Sequence, residues 1–260
     1  MLVVITVVNA CKKDKVETTP FFPAELATVK TALAASFDSL NNSLSVATTQ
    51  FAQTGIDTTA IRSKLFELYN NFSFTKEFSF ITLQGIMQLI EPAVYYSYQG
   101  SDISAQSSVV SAFQTKLPVL SNAFILLEGY QATIDIHPIV ADDQLLGAIS
   151  AVIAPEILLG SIILPIVQDV EFEIWVMEKS GMVLFDQDAG EIGLNVLTDP
   201  LYADFTELIA ACQLMAEVQT GETTYSFFQT GTASVVTKKT YWNTFSMHGN
   251  EWKIVWVIPV

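Results

Sequence analysis

The chain has 260 residues, enough for one large or two modest domains. Half of them are hydrophobic and mean hydropathy is +0.40, so the sequence builds a packed core and is not a disordered chain. A net charge of −15 repels phosphate backbones, which excludes nucleic acid as a partner and disfavours docking on anionic lipid.

Residues Leu2 to Ala10 form an apolar run too short to cross a membrane but of signal-peptide length. It ends Val8-Asn9-Ala10-Cys11, which resembles a lipobox, with Cys11 as the lipidated first residue of the mature protein. Lys12 to Pro20 then reads as a polar tether. The other cysteine, Cys212, sits in an apolar helical stretch and reads as a buried free thiol, so neither a disulfide framework nor a cysteine zinc site is expected.

After Pro23, Leu26, Val29, Leu33, Phe37, Leu40, Leu44 and Phe51 recur at helical spacing until Gly55, which predicts one long helix within 23–56. Asp57 then caps a second helix through Asn70. From Phe78 the period changes: Phe78–Leu83, a turn at Gln84-Gly85, and Ile86–Ile90 predict a β-hairpin. A polar segment from Gly100 leads to a short helix ending near Pro118. Strand candidates 123–127, 131–136 and 145–153 follow, with a turn at Asp142-Asp143 and a helix over Ile157–Ile163.

The pattern restarts with a hairpin over 173–177 and 182–185, a helix from about Tyr202 to Gln219, and strands at 224–228, 234–238, 240–248 and 252–258. The two hairpin glycines, Gly85 and Gly181, stand 96 positions apart, and Gly147 and Trp252 in the closing strands stand 105 apart. Two α+β units, 57–166 and 167–260, each an antiparallel sheet with helices on one face, are therefore expected behind a 1–22 leader and tether.

Several stretches carry a family likeness. In the first unit they are Gly100–Gln106, Leu117–Ser121, Glu128-Gly129-Tyr130, Ile136-His137-Pro138-Ile139 and Leu146–Ser150. In the second they are Trp175-Val176-Met177, Asp186-Gln187-Asp188, Glu191–Asn195, Asp199–Tyr202, Gly221–Tyr225 and Trp242-Asn243-Thr244. Their order resembles the double Cache family of extracytoplasmic sensor domains, with two PAS-like modules along one long helix. The resemblance implies a membrane-distal module, 57–166, that holds a small-molecule ligand and a membrane-proximal module, 167–260; no acid-base or nucleophile constellation stands out in the sequence, so no enzymatic activity is expected. Members that bind amino acids carry an Arg-x-Trp-Tyr cluster and a later Asp. Here the only arginine is Arg62, and Leu126 or Leu127 stands where that Asp is expected, which disfavours an amino acid.

The chain closes on an apolar strand rather than a membrane helix, so the expected mode is a sensory lipoprotein, anchored through Cys11, that signals through a separate receptor or kinase. The alternative is a capture lipoprotein that passes a small molecule to a transporter. Ligand sites are concave and mostly apolar, with a few polar groups, so the expected ligand contacts are Tyr95, Tyr96, Ser121, Phe124, Tyr130 and His137. With no arginine near them, a neutral or cationic molecule, or at most a monocarboxylate, fits. Trp175, Tyr225 and Trp242 are expected in the second core. His248 is expected on a surface turn far from His137, which leaves no histidine metal site. Asp186–Glu191 lacks the ligand pattern of a calcium loop, and no cofactor is expected.

Overall fold

The computed structural model describes residues 22–260; the apolar run, Cys11 and the tether lie outside that range. α1 (Ala24–Thr54) has 31 residues, a rod of about 46 Å at about 1.5 Å per residue. The residues read from the sequence as its apolar stripe are all buried. α1 stops at Gly55, whose φ of 84° suits glycine. Asp57 caps α2 (Thr58–Asn71), its Oδ1 accepting from the Ala60 N–H at 2.8 Å.

The first sheet contains β1 (Thr75–Ile81), β2 (Met87–Glu91), β3 (Val119–Leu120), β4 (Phe124–Ile125), β5 (Gln131–Ala141) and β6 (Gln144–Ile153). Its order is β2-β1-β6-β5-β3, with β4 also paired to β5, and every pairing is antiparallel. α3 (Ser107–Thr115) covers one face, and α4 (Pro155–Ile163) leads out. The second sheet runs β8 (Val183–Phe185), β7 (Glu173–Glu178), β11 (Asn250–Pro259), β10 (Val235–Met247) and β9 (Thr220–Phe228), again all antiparallel. α5 (Thr206–Glu217) packs on it.

The two sheets share one strand order, so the hundred-residue repeat in the sequence is a repeat of topology. The hairpin glycines do the same job in each: Gly85 N–H donates to Thr82 O and Gly181 N–H to Glu178 O, both at 2.9 Å. Their carbonyls accept from Ile103 and Val196, also at 2.9 Å. A Cβ at Gly85 would stand 2.5 Å from Ser104, and one at Gly181 2.7 Å from Leu197.

Alternation along the strands divides the interior into three cores. One continuous core joins the buried face of α1 to both sheets, through Ile139, Ile149 and Ile153 of the first and Phe245, Trp252 and Ile254 of the second. The opposite faces make separate cores. Ile81, Ile134, Ile136 and Val152 pack with α3 in the first unit. Trp175, Tyr225, Trp242 and Val255 pack with α5 in the second, as expected for those aromatics.

Two sequence readings need correction. The candidates at 234–238 and 240–248 are one 13-residue strand, β10. The break between them falls on Lys239, but alternation carries the strand through it, sending Lys238 inward to Glu173 at 2.8 Å and Lys239 outward to Glu222 at 3.1 Å. The helix read from Tyr202 is a 3-10 turn (Pro200–Tyr202) followed by α5, because Asp199 turns the chain by accepting from the Leu201 N–H.

Candidate functional site

The face of the first sheet away from α1 ends in a small, mostly apolar cavity. Glu77, Ser79 and Ile81 of β1, Ile134 and Ile136 of β5, and Ser150 and Val152 of β6 form its floor. Ile103, Gln106 and the Leu126-Leu127-Glu128 turn between β4 and β5 cover it. The cavity measures about 20 Å³, room for about one water.

Its polar groups are unbalanced. Ser79 and Ser150 satisfy each other at 2.7 Å. Glu77 Oε2, Gln106 Oε1 and Glu128 Oε1 are buried acceptors with no hydrogen-bond partner. Burial pushes the Glu77 carboxyl up to about 8, with the Glu128 charge adding to the rise. No lysine or arginine lines the cavity.

The structure disperses the six residues expected to contact ligand. Tyr95 and Tyr130 are neighbours, ring centroids 6.4 Å apart, on a cleft of about 310 Å³ beside the cavity. Lys76, Gln131 and Glu156 border that cleft, and Leu184 and Ile192 close it from the second unit. Burial, then the adjacent Tyr95 hydroxyl, raises the Tyr130 phenol well above the usual tyrosine range. Tyr96 is exposed and belongs to an edge cluster: its hydroxyl donates to Glu91 at 2.5 Å while Arg62 lies 4.7 Å above its ring. Arg62 pairs with Glu91 at 2.7 Å, away from the cavity. Phe124 and Ser121 border a separate groove of about 280 Å³. The Ser121 hydroxyl accepts from the Ile134 N–H, and its carbonyl accepts from Asn250 of the second unit at 2.7 Å, so this serine brackets the two sheets together.

His137 alternates with Ile134 and Ile136 and so points to the face opposite the cavity, beside Asp135. His248 occupies the β10–β11 turn, as read, yet the turn folds over β5. Its Nδ1 lies 3.0 Å from Asp135 Oδ1, and its ring centroid is 5.3 Å from that of His137. The two histidines are thus adjacent, not distant, and His248 is mostly buried. Sequence reading missed this because the contact joins residues 113 positions apart.

Leu126 and Leu127 line the cavity, and the next residue brings a carboxylate to it. Glu77 and Glu128 escaped the sequence reading, which chose aromatics. The available signal was an acidic residue on the inward-facing alternation Glu77-Ser79-Ile81 of an otherwise buried strand. The second unit holds a half-buried acid whose carboxyl is raised in the same way. Burial raises Asp186 to about 8, with Glu191 adding to it, in a cavity of about 20 Å³ that Lys238, Tyr202 and Tyr225 also line. Asp186 and Asp188 accept from the Asp188 and Gly190 N–H groups, so their calcium-like spacing is that of a turn.

Residues 35–155 match the family described as HK/GC/chemotaxis protein-like, sensor domain. No curated protein matches the sequence. Among solved structures, an extracellular ligand-binding receptor from Desulfohalobium retbaense superposes with a TM-score of 0.76 at 25% identity over 91% of this chain. The present chain spans 40% of that one. A methyl-accepting chemotaxis protein X superposes at TM-score 0.70 and 11% identity, covering 91% of this chain and 96% of its own. The ligand-binding domain of the Pseudomonas aeruginosa PAO1 amino-acid chemoreceptor PctB, in complex with L-Gln, does so at 0.66 and 10%, covering 91% and 88%.

Proposed function

We propose that this chain, a Cache-type sensor domain of the chemoreceptor and histidine kinase kind and not a catalyst, binds a small organic amine outside the cytoplasm. One observation carries the ligand class: three buried oxygens, Glu77 Oε2, Gln106 Oε1 and Glu128 Oε1, converge on one cavity and none has a hydrogen-bond partner. A cationic ammonium supplies donors for them and a charge for the two carboxylates. An α-amino acid fits poorly, since the lining has no cation for its carboxylate. The cavity must widen to admit such a molecule. The β4–β5 turn is the piece suited to move, because the strand that leads into it, β4, is two residues long.

Calorimetric titration of the full chain with alkylamines, diamines, amino acids and carboxylates tests the reading. Amines should bind and carboxylates should not. Their affinity should rise about tenfold per pH unit as pH approaches 8, since Glu77 must lose its proton to pair with the cation. Tight carboxylate binding, or amine affinity independent of pH between 6 and 8, would discard the assignment.

The reading extends to a lipid anchor at Cys11, supported by Val8-Asn9-Ala10-Cys11. No helix among the described residues is long and apolar enough to cross a membrane. A lipid inserted in one leaflet carries no conformational change across the bilayer, so the output passes through a separate receptor or kinase. Cys11→Ser should release the protein from the membrane fraction and end metabolic labelling with a fatty acid. Continued labelling of that variant would rule the anchor out.

A further inference from the structure

We infer that Asp135, His137 and His248 form a binding site for one divalent transition-metal cation of the zinc class, seated at the junction of the two sheets. Asp135 and His137 project from β5 of the first sheet, and His248 from the β10–β11 turn of the second. One ligand atom from each lies within 4.8 Å of the others. Asp135 Oδ1 stands 3.0 Å from His248 Nδ1 and 3.3 Å from His137 Nε2. In a tetrahedral site with bonds of about 2.0 Å, ligand atoms lie about 3.3 Å apart, so the spacing already suits an ion.

A second observation points to a missing partner. Asp135 and His137 are almost wholly buried, yet Asp135 Oδ2 and His137 Nε2 have no aligned hydrogen bond. A cation would satisfy His137 Nε2 directly and offset the buried carboxylate charge. Two imidazoles with one carboxylate favour zinc, copper or nickel over calcium and magnesium, which prefer all-oxygen shells. His248, the least buried of the three, faces the route by which an ion and a completing water would enter. The site is independent of the amine cavity, because Ile134 and Ile136 place that cavity on the other face of β5. An ion here would tie the ligand-holding sheet to the second one, beside the Asn250–Ser121 hydrogen bond and the Ala123 N–H donated to Glu178 at 2.7 Å.

Zn²⁺ titration of the metal-stripped full chain, with bound metal counted after dialysis, tests the site. One Zn²⁺ per chain should bind and raise the melting temperature by several degrees. His248→Asn removes the imidazole but suits the turn, where His248 holds a φ of 46° before Gly249, as Asn-Gly pairs do in hairpins. This variant should still fold, melt somewhat lower without metal because Asp135 loses its His248 contact, and lose Zn²⁺ affinity by more than about tenfold. Asp135→Asn should lose it as well. Co²⁺ in the wild-type chain should show visible ligand-field bands without a thiolate charge-transfer band, which separates this site from Cys11. No Zn²⁺ bound by the wild type, undiminished binding by His248→Asn, or a thiolate band would each overturn the inference.

Discussion

Glu77→Gln is expected to weaken amine binding about a hundredfold while making the unliganded protein more stable at pH 8. The two effects share one cause. Glu77 is buried, and its carboxyl is raised from 4.5 to about 8 by burial and then by Glu128. A group whose folded pKa is raised stabilises the fold fully below its unfolded value and loses that contribution as pH climbs through the folded one. The wild-type protein should therefore weaken between about pH 4.5 and 8, by up to about 5 kcal/mol from this residue at about 1.4 kcal/mol per unit. Glutamine has no proton to lose, so the variant should match the wild type near pH 4.5 and melt higher at pH 8. It also removes the charge that pairs with an ammonium, and stripping one member from a buried ion pair costs about 3 kcal/mol or more. Paired denaturation and calorimetry at pH 5 and 8 read both quantities. If stability and affinity fell together, Glu77 would be a structural residue and the amine reading would lose its main support.

How far the sequence discloses this molecule depends on the range of each interaction. The α1 stripe from Leu26 to Phe51 and the cap at Asp57 are local, and periodicity locates them almost to the residue. The hairpin glycines, 96 positions apart, disclose the repeat because each turn demands a positive φ on its own account. The break read at Lys239 fails for want of a tertiary fact, that β9 pairs with β10 straight through it and offers Glu222 to its charge. The candidate site is less legible. Tyrosine content says nothing about which face of which segment is concave, so Tyr95 and Tyr130 fall on a cleft, Tyr96 on an edge, and Ser121 and Phe124 on another groove. Glu77 was within reach of the period-two pattern. The Asp135–His137–His248 cluster was not, because only the packing of one sheet on the other brings its members together.

Phe37→Ala should destabilise the chain by about 3–5 kcal/mol and lower its melting temperature by about 10 °C. Phe37 sits near the middle of α1, fully buried, with ring centroids 5.2 Å from Phe245 and 5.4 Å from Trp252 of the second sheet. Both partners are held by paired strands, β10 and β11, so the surroundings cannot close over the lost ring, and most of the cavity cost remains. The same helix lies in one continuous core with Ile139, Ile149 and Ile153 of the first sheet. Phe37 is thus one of the places where α1 packs on the second sheet, within a core that also reaches the first. The cavity proposed to take an amine lies on the far face of the first sheet and is lined by no residue of α1. At a temperature where the variant is still folded, its amine affinity should stay within about threefold of wild type, since distant independent sites add nearly without coupling. A melting loss below a few degrees would show that α1 is packed loosely against the second sheet, and it could not then transmit a change between the two.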